Sequence, residues 1–154
     1  MKLIIRDFVS DDKDEYIKMS EAFFNSYAVD HTVPVEHFQS TFDQCINASP
    51  YTRGMALISE GIFVGYALAS FTWSNEAGGM CVWIEEIYIQ EESRGYGIGK
   101  AFLEFIESEY AGKAKRLRLE VTLSNSRAAE LYRNLGYTEL DYCQLVKDFH
   151  PIEK

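Results

Sequence analysis

The chain has 154 residues, 47% of them apolar and 14% aromatic, which is long enough to bury a core and too apolar for a disordered or low-complexity segment. A formal charge of −9 argues against a nucleic-acid surface, and no apolar run approaches the length that crosses a bilayer. Cys45, Cys81 and Cys143 lack C-x-x-C spacing and lie in apolar segments, so they read as reduced core residues of one cytoplasmic domain spanning 1–154.

The start "MKLIIRDFVSDDKDE" turns acidic too soon for a signal peptide. Within it "KLIIRDF" (2–8) is a strand candidate, and 10–27 reads as a helix with Asp11 or Asp12 as its cap. Pro34 suits a first helical position, and Val35, Phe38, Phe42, Cys45 and Ile46 keep helical spacing. Two strands, 53–59 and 62–73, meet across the hairpin signal Glu60-Gly61, and "SNEAGG" turns the chain into a third at 80–90. A helix follows, with Ile98, Phe102, Phe105 and Ile106 on one face and Gly112 as its stop. The strand 116–122 then returns by a crossover and is expected to run parallel to 80–90. A helix at 124–136 and a closing strand at 137–149 complete the order β-α-α-β-β-β-α-β-α-β, an α/β domain around a mixed sheet.

Between strand 80–90 and the next helix, "RGYGIGK" places Gly95, Gly97 and Gly99 at alternate positions. The spacing fits neither the dinucleotide fingerprint nor the P-loop. Glycines nevertheless let N–H groups converge at a corner, and the helix opening near Gly97 adds a positive end suited to a phosphate or pyrophosphate, with Arg94 as a fixed cation. A tight strand-to-helix connection without a ligand is the plainer reading of the same glycines.

Glu85 and Glu86 sit inside "VWIEEIYI". Strict alternation puts Glu85 with Trp83, Ile87 and Ile89, and Glu86 with Ile84 and Tyr88 on the opposite face. Both faces are apolar, so at least one acid must meet a cavity, a water or a basic partner. A structural ion pair with a neighbouring Arg or Lys would satisfy that equally.

The stretch "RGYGIGKAFL" resembles the acyl-CoA-binding segment of the GNAT superfamily of N-acetyltransferases, with Arg94, Gly97 and Gly99 at the fixed places of (Q/R)-x-x-G-x-(G/A). "NSRAAELYRNLGY" (125–137) resembles the family's second signature, and "WIEEIYIQEESRGYGIG" is similar to diamine acetyltransferases. The resemblance implies a GNAT-like, mixed and mostly antiparallel sheet whose fourth strand bulges near the two acids and splays from the fifth to open a cleft. It also implies acetyl transfer from acetyl-CoA to a primary amine by direct attack in a ternary complex. Arg94, Gly95, Tyr96, Gly97, Ile98, Gly99 and Lys100 would then hold the CoA pyrophosphate, and Ile87 and Ile89 N–H groups would polarise the thioester carbonyl.

An alkylammonium has no lone pair to attack with, so the reaction needs a base. Glu85 is assigned that role and Glu86 the orientation of the substrate cation. Tyr132 stands where the family carries a tyrosine that protonates the departing thiolate, although helical spacing alone would make it a packing partner of Leu131 and Leu135. Asn125 is a helix cap, a contact to the CoA arm, or both. The family's first two helices wall the acceptor pocket, which brings in Phe24 and Tyr27 as substrate contacts. His31, His37 and His150 show no metal-ligand spacing, so no metal is expected. The acceptor is expected to be a small polyamine or lysine-like amine, with no nucleic-acid or membrane partner; a homodimer accords with the family but is not written in the sequence. The competing class is a non-catalytic acyl-CoA-binding sensor, which needs the corner but neither the acids nor Tyr132.

Overall fold

A computed structural model describes residues 2–26 and 33–149. Five strands form one sheet in chain order: β1 (Leu3–Asp7), β2 (Thr52–Ser59), β3 (Ile62–Ser74), β4 (Gly79–Ile89) and β5 (Arg116–Leu119). All neighbours are antiparallel except β4 and β5, which run parallel as the crossover requires. Ser59 stands opposite Ile62, so Glu60-Gly61 is the two-residue hairpin turn expected from its sequence.

Helices cover both faces. On one side lie α1 (Lys13–Phe24) and α2 (Val35–Ile46), which bury Tyr16, Met19, Phe38 and Phe42 against Ala56, Tyr66 and Leu68 of the sheet. The spacing of these side chains by three or four residues is what makes each helix amphipathic. On the other side α3 (Ile98–Tyr110) seats Ile98, Phe102, Leu103 and Ile106 on Met55, Leu57, Ala67, Ala69 and Val82. A short α4 (Ser126–Asn134) adds Leu131 and Tyr132 at the margin of that second cluster.

A 3₁₀ turn at Ser10–Asp12 precedes α1, which starts at Lys13 rather than at residue 10. Asp12 flanks the helix start, but its carboxylate faces backward, accepting from Val9 N–H at 2.8 Å and from the Arg6 guanidinium at 2.6 and 3.0 Å. Burial alone would raise this carboxyl; the Arg6 and Val9 donors hold it below the usual range.

Two strand expectations are corrected. β5 ends at Leu119 rather than 122, because β4 and β5 part company there. The expected strand 137–149 does not form: those residues carry no strand pairing, and Leu145 and Phe149 are both 92% exposed. Alternating apolar residues need a ladder partner, and a four-residue edge strand offers little of one.

Candidate active site

β4 pairs with β3 from Gly79 to Ile89, but with β5 only from Cys81 to Ile84. Beyond Ile84 its second edge has no ladder partner among the described residues, so the two parallel strands open into a cleft. Gln90 N–H donates to Val64 carbonyl at 2.9 Å across the β3 side. By strand alternation Tyr88 N–H points the same way, and the N–H groups of Ile87 and Ile89 point to the open edge.

The ladder slips at the mouth of this cleft. Leu68 faces Glu86 and Ala69 faces Ile84, leaving Glu85 as an extra residue in a β-bulge. The bulge overturns the expected alternation. Ile84 and Ile87 both join the α3 side of the sheet, while both acids turn toward the α1–α2 side. There the Ser70 hydroxyl donates to Glu85, and the Tyr66 hydroxyl donates to Glu86 Oε2 at 2.6 Å. Ser70 and Tyr66 are on the same face of β3, which fixes both carboxylates on one side. Neither acid is paired with a lysine or arginine among the described residues, so the ion-pair reading of the two acids is not realised.

Glu85 is exposed and Glu86 half-buried. Burial, reinforced by the charge of Glu85 and opposed by the Tyr66 hydrogen bond, pushes the Glu86 carboxyl up to about 7. Tyr66 itself is fully buried, and desolvation together with the Glu86 charge drives its phenol well above the usual tyrosine range. It is therefore a neutral donor at any ordinary pH.

The cleft is lined by Phe23 from α1, by Glu85, Glu86 and Ile87 from β4, by Glu120 just past β5, and by Asn125 and Tyr132 at α4. Burial raises the Tyr132 phenol, so it too stays protonated. Its ring packs 5.9 Å from that of Tyr137, the residue that follows the α4 stop. Asn125 is the α4 cap, with Oδ1 accepting from Ala128 N–H at 3.3 Å, and it also borders the cleft. Of the two expected substrate contacts, Phe24 on α1 packs on Phe38 at 5.5 Å, and its neighbour Phe23 is the one that reaches the cleft. Tyr27 lies outside the described residues, as do His31 and His150.

Below the open edge a 3₁₀ turn, Glu91–Ser93, leads to the glycine corner. Gly95 and Gly97 adopt φ of +86° and +82°, a backbone region that suits glycine, and Gly97 flanks the start of α3. A Cβ at Gly97 would meet nothing within 4 Å, so no side chain crowds the backbone at that position. Ala101 N–H makes the first helical bond, to Gly97 carbonyl, which leaves the amides of Ile98, Gly99 and Lys100 at an uncapped helix start. The Ile98 side chain is core, 2% exposed, whereas Tyr96 is 69% exposed. Arg94 is held by Nε donating to Ile89 carbonyl at 2.8 Å and by an ion pair with Glu91 at 3.3 Å; Lys100 pairs with Glu104 at 3.6 Å. Such an arrangement of converging amides and a positive helix end fits a diphosphate.

Four residues of this region escaped the sequence reading. Arg127 brings its guanidinium to 4.0 Å from where a Gly95 Cβ would stand, and its place two residues after Asn125 was the available signal. Glu120 was not singled out within the expected strand 116–122, and Phe23 was passed over for its neighbour. Tyr66 gave no signal at all, since within "IFVGYALASFTW" it looks like one more core aromatic.

Cleft, corner and sheet together define an acyltransferase that uses a CoA thioester. The description of the Acetyltransferase (GNAT) family matches residues 16–137, and the chain belongs to that family of acetyl-CoA-dependent N-acetyltransferases. Its catalytic character sets aside the non-catalytic sensor. The chain is 31% identical over 140 residues to an uncharacterised N-acetyltransferase of Methanocaldococcus jannaschii, covering 89% of this chain and 79% of that one. It is 37% identical over 78 residues to the thialysine N-epsilon-acetyltransferase of Bos taurus, and 31% identical over 101 residues to the spermine/spermidine N(1)-acetyltransferase of Bacillus subtilis. These matches span 50% and 60% of this chain, but only 45% and 65% of the relatives' own lengths. The fold superimposes on a CoA complex of an aminoglycoside N-acetyltransferase with a TM-score of 0.77 at 13% identity, over 97% of this chain and 96% of that one. The mixed, mostly antiparallel α/β sheet expected from the sequence is thus confirmed as the GNAT fold. Among the described residues no helix is long and apolar enough to cross a membrane.

Proposed function

We propose that this enzyme acetylates a primary amine on a small polycation, a polyamine or a lysine-like molecule, by direct attack in a ternary complex. The observation that carries the reading is the bulge that turns two carboxylates onto one face of a cleft shared with Tyr132. Glu120 adds a third acid to that lining, which favours an acceptor with more than one ammonium group. The relatives named for thialysine and for spermine or spermidine support the same class.

Acetyl-CoA supplies the activated acyl group; the chain supplies position and proton traffic. The hollow at 94–100 receives the diphosphate through backbone amides, with Arg94 and Arg127 flanking it and Asn125 bordering the arm. The N–H groups of Ile87 and Ile89, on the open edge, stand where a thioester carbonyl would be polarised. Glu85, exposed at the mouth, meets the incoming ammonium. Glu86, titrating near 7, is the better proton acceptor, because a base poised near ambient pH is both free to accept and basic enough to do so. This divides the two acids in the reverse of the way the sequence suggested. Tyr132 donates its proton toward the departing sulfur.

A thiol-release assay with acetyl-CoA against spermidine, lysine, an aminoglycoside and a peptide N-terminus tests the substrate class. Spermidine or lysine should give the highest kcat/KM; preference for the peptide would sink the polycation reading. Comparing Glu86→Gln with Glu85→Gln tests the division of labour. The first should lose kcat and its dependence on pH near 7, the second should mainly raise KM for the amine, and the opposite pattern would return the base to Glu85.

A further inference from the structure

We infer that Tyr66 is a positioning residue for the transfer reaction, holding Glu86 in its reactive orientation and in its carboxylate form. The inference rests on the proposal that Glu86 receives the proton. Tyr66 belongs to β3, two residues before Leu68, the residue opposite Glu86, and so on the same face of the strand; its side chain is 0% exposed. Its hydroxyl lies 2.6 Å from Glu86 Oε2, the distance of a short bond to a charged acceptor.

The ring cannot swing away. It stands edge-on to Tyr16 of α1 with centroids 5.0 Å apart, and it stacks with Tyr88 of β4 at 6.0 Å. Tyr66 is thus clamped from the helix layer and from the strand that carries the acids, while its only polar atom reaches the carboxylate. A phenol that stays neutral can donate but not take the proton away, so its bond favours the ionised acid over the protonated one. The groups that bear on Glu86 from each packed element are Tyr66 on β3, Tyr16 on α1, Cys45 on α2 and Glu85 on β4. Among these groups Tyr66 is the one that hydrogen-bonds Glu86, and none is a cation. Removal of that single hydroxyl therefore leaves a half-buried acid beside a like charge with less to keep it ionised.

The test is Tyr66→Phe, which keeps the ring and its two aromatic contacts and deletes the donor. Two readouts are taken. In the protein without ligands, the Glu86 carboxyl is titrated by carbon NMR. In the enzyme with acetyl-CoA and the best amine of the panel, kcat/KM is followed against pH. We expect the Glu86 titration and the acidic limb of the rate profile to move to higher pH together, by about one unit, giving roughly tenfold lower activity on the acidic side and near-complete recovery in alkali. Tyr16→Phe, which alters the same aromatic cluster without touching Glu86, should move neither. An unmoved Glu86 titration in Tyr66→Phe overturns the inference. So does a uniform loss of rate at all pH values, which would mark a purely structural role. A shifted titration with an unshifted rate limb also overturns it, by showing that Glu86 does not carry the proton. Failure of the polycation reading is seen separately, in the wild-type amine panel.

Discussion

The two ends of β4 make different use of the same strand. From Cys81 to Ile84 it is paired on both edges and mostly buried, with Val82 at 0% and Ile84 at 4% exposure. From Glu85 to Ile89 it keeps only the β3 edge, and every residue is at least partly accessible. The first half is core because all its backbone groups find partners; the second is chemically useful because some do not. One residue of slippage separates them.

The contrast is broken most severely by Glu86→Gln, which should cost about 10² to 10⁴ in kcat near neutral pH while the fold persists. Wild-type kcat/KM should rise with pH through about 7 as Glu86 ionises, and that limb should vanish in the variant. Tyr132→Phe should slow turnover by about 10²-fold and leave acetyl-CoA affinity, read by calorimetry, nearly unchanged. Affinity loss without a turnover defect would make Tyr132 a binding residue instead. In the sealed half, Val82→Ala should do the reverse, lowering stability by about 2 kcal/mol in denaturant melts with the specific activity of folded enzyme retained.

A subtler effect sharpens the comparison. The Glu86 carboxyl lies above the usual glutamate value near 4.5, so the folded state holds this proton more tightly than the unfolded chain does. Its contribution to stability is fully present below about 4.5 and is lost as pH rises through about 7. Glu86→Gln should therefore stabilise the protein above pH 7 by an amount on the order of 1 kcal/mol, allowing for partial solvent exposure, with no gain in acid. Thermal melts across that range would show the two curves converging at low pH; parallel curves would contradict the raised titration.

How much of this could be read beforehand depends on whether the signal was local. The helices α1, α2 and α3 declare themselves by spacing such as Phe38 to Phe42 and Phe102 to Ile106, and the Glu60-Gly61 turn fixes its own hairpin. The corner was legible because glycine at 95 and 97 has few other uses at positive φ. The bulge came only through the resemblance to the family and not from any local pattern, since it is a mismatch of counts between β3 and β4 that neither strand carries alone. Phe23 and Phe24 were confused because neighbours on a helix diverge by about 100°, so a small phase error exchanges core for cleft. The closing strand failed for the opposite reason: a pattern in 137–149 was present, but its partner was not.

The slippage at residue 85 also bears on how such a chain can change over time. Replacing an acid tunes the chemistry, but deleting Glu85 would let β3 and β4 pair without a slip and leave only Glu86 of the pair. The cleft is written in arithmetic as much as in composition. A single-codon deletion would therefore disturb the site in a way that no substitution at the same position does.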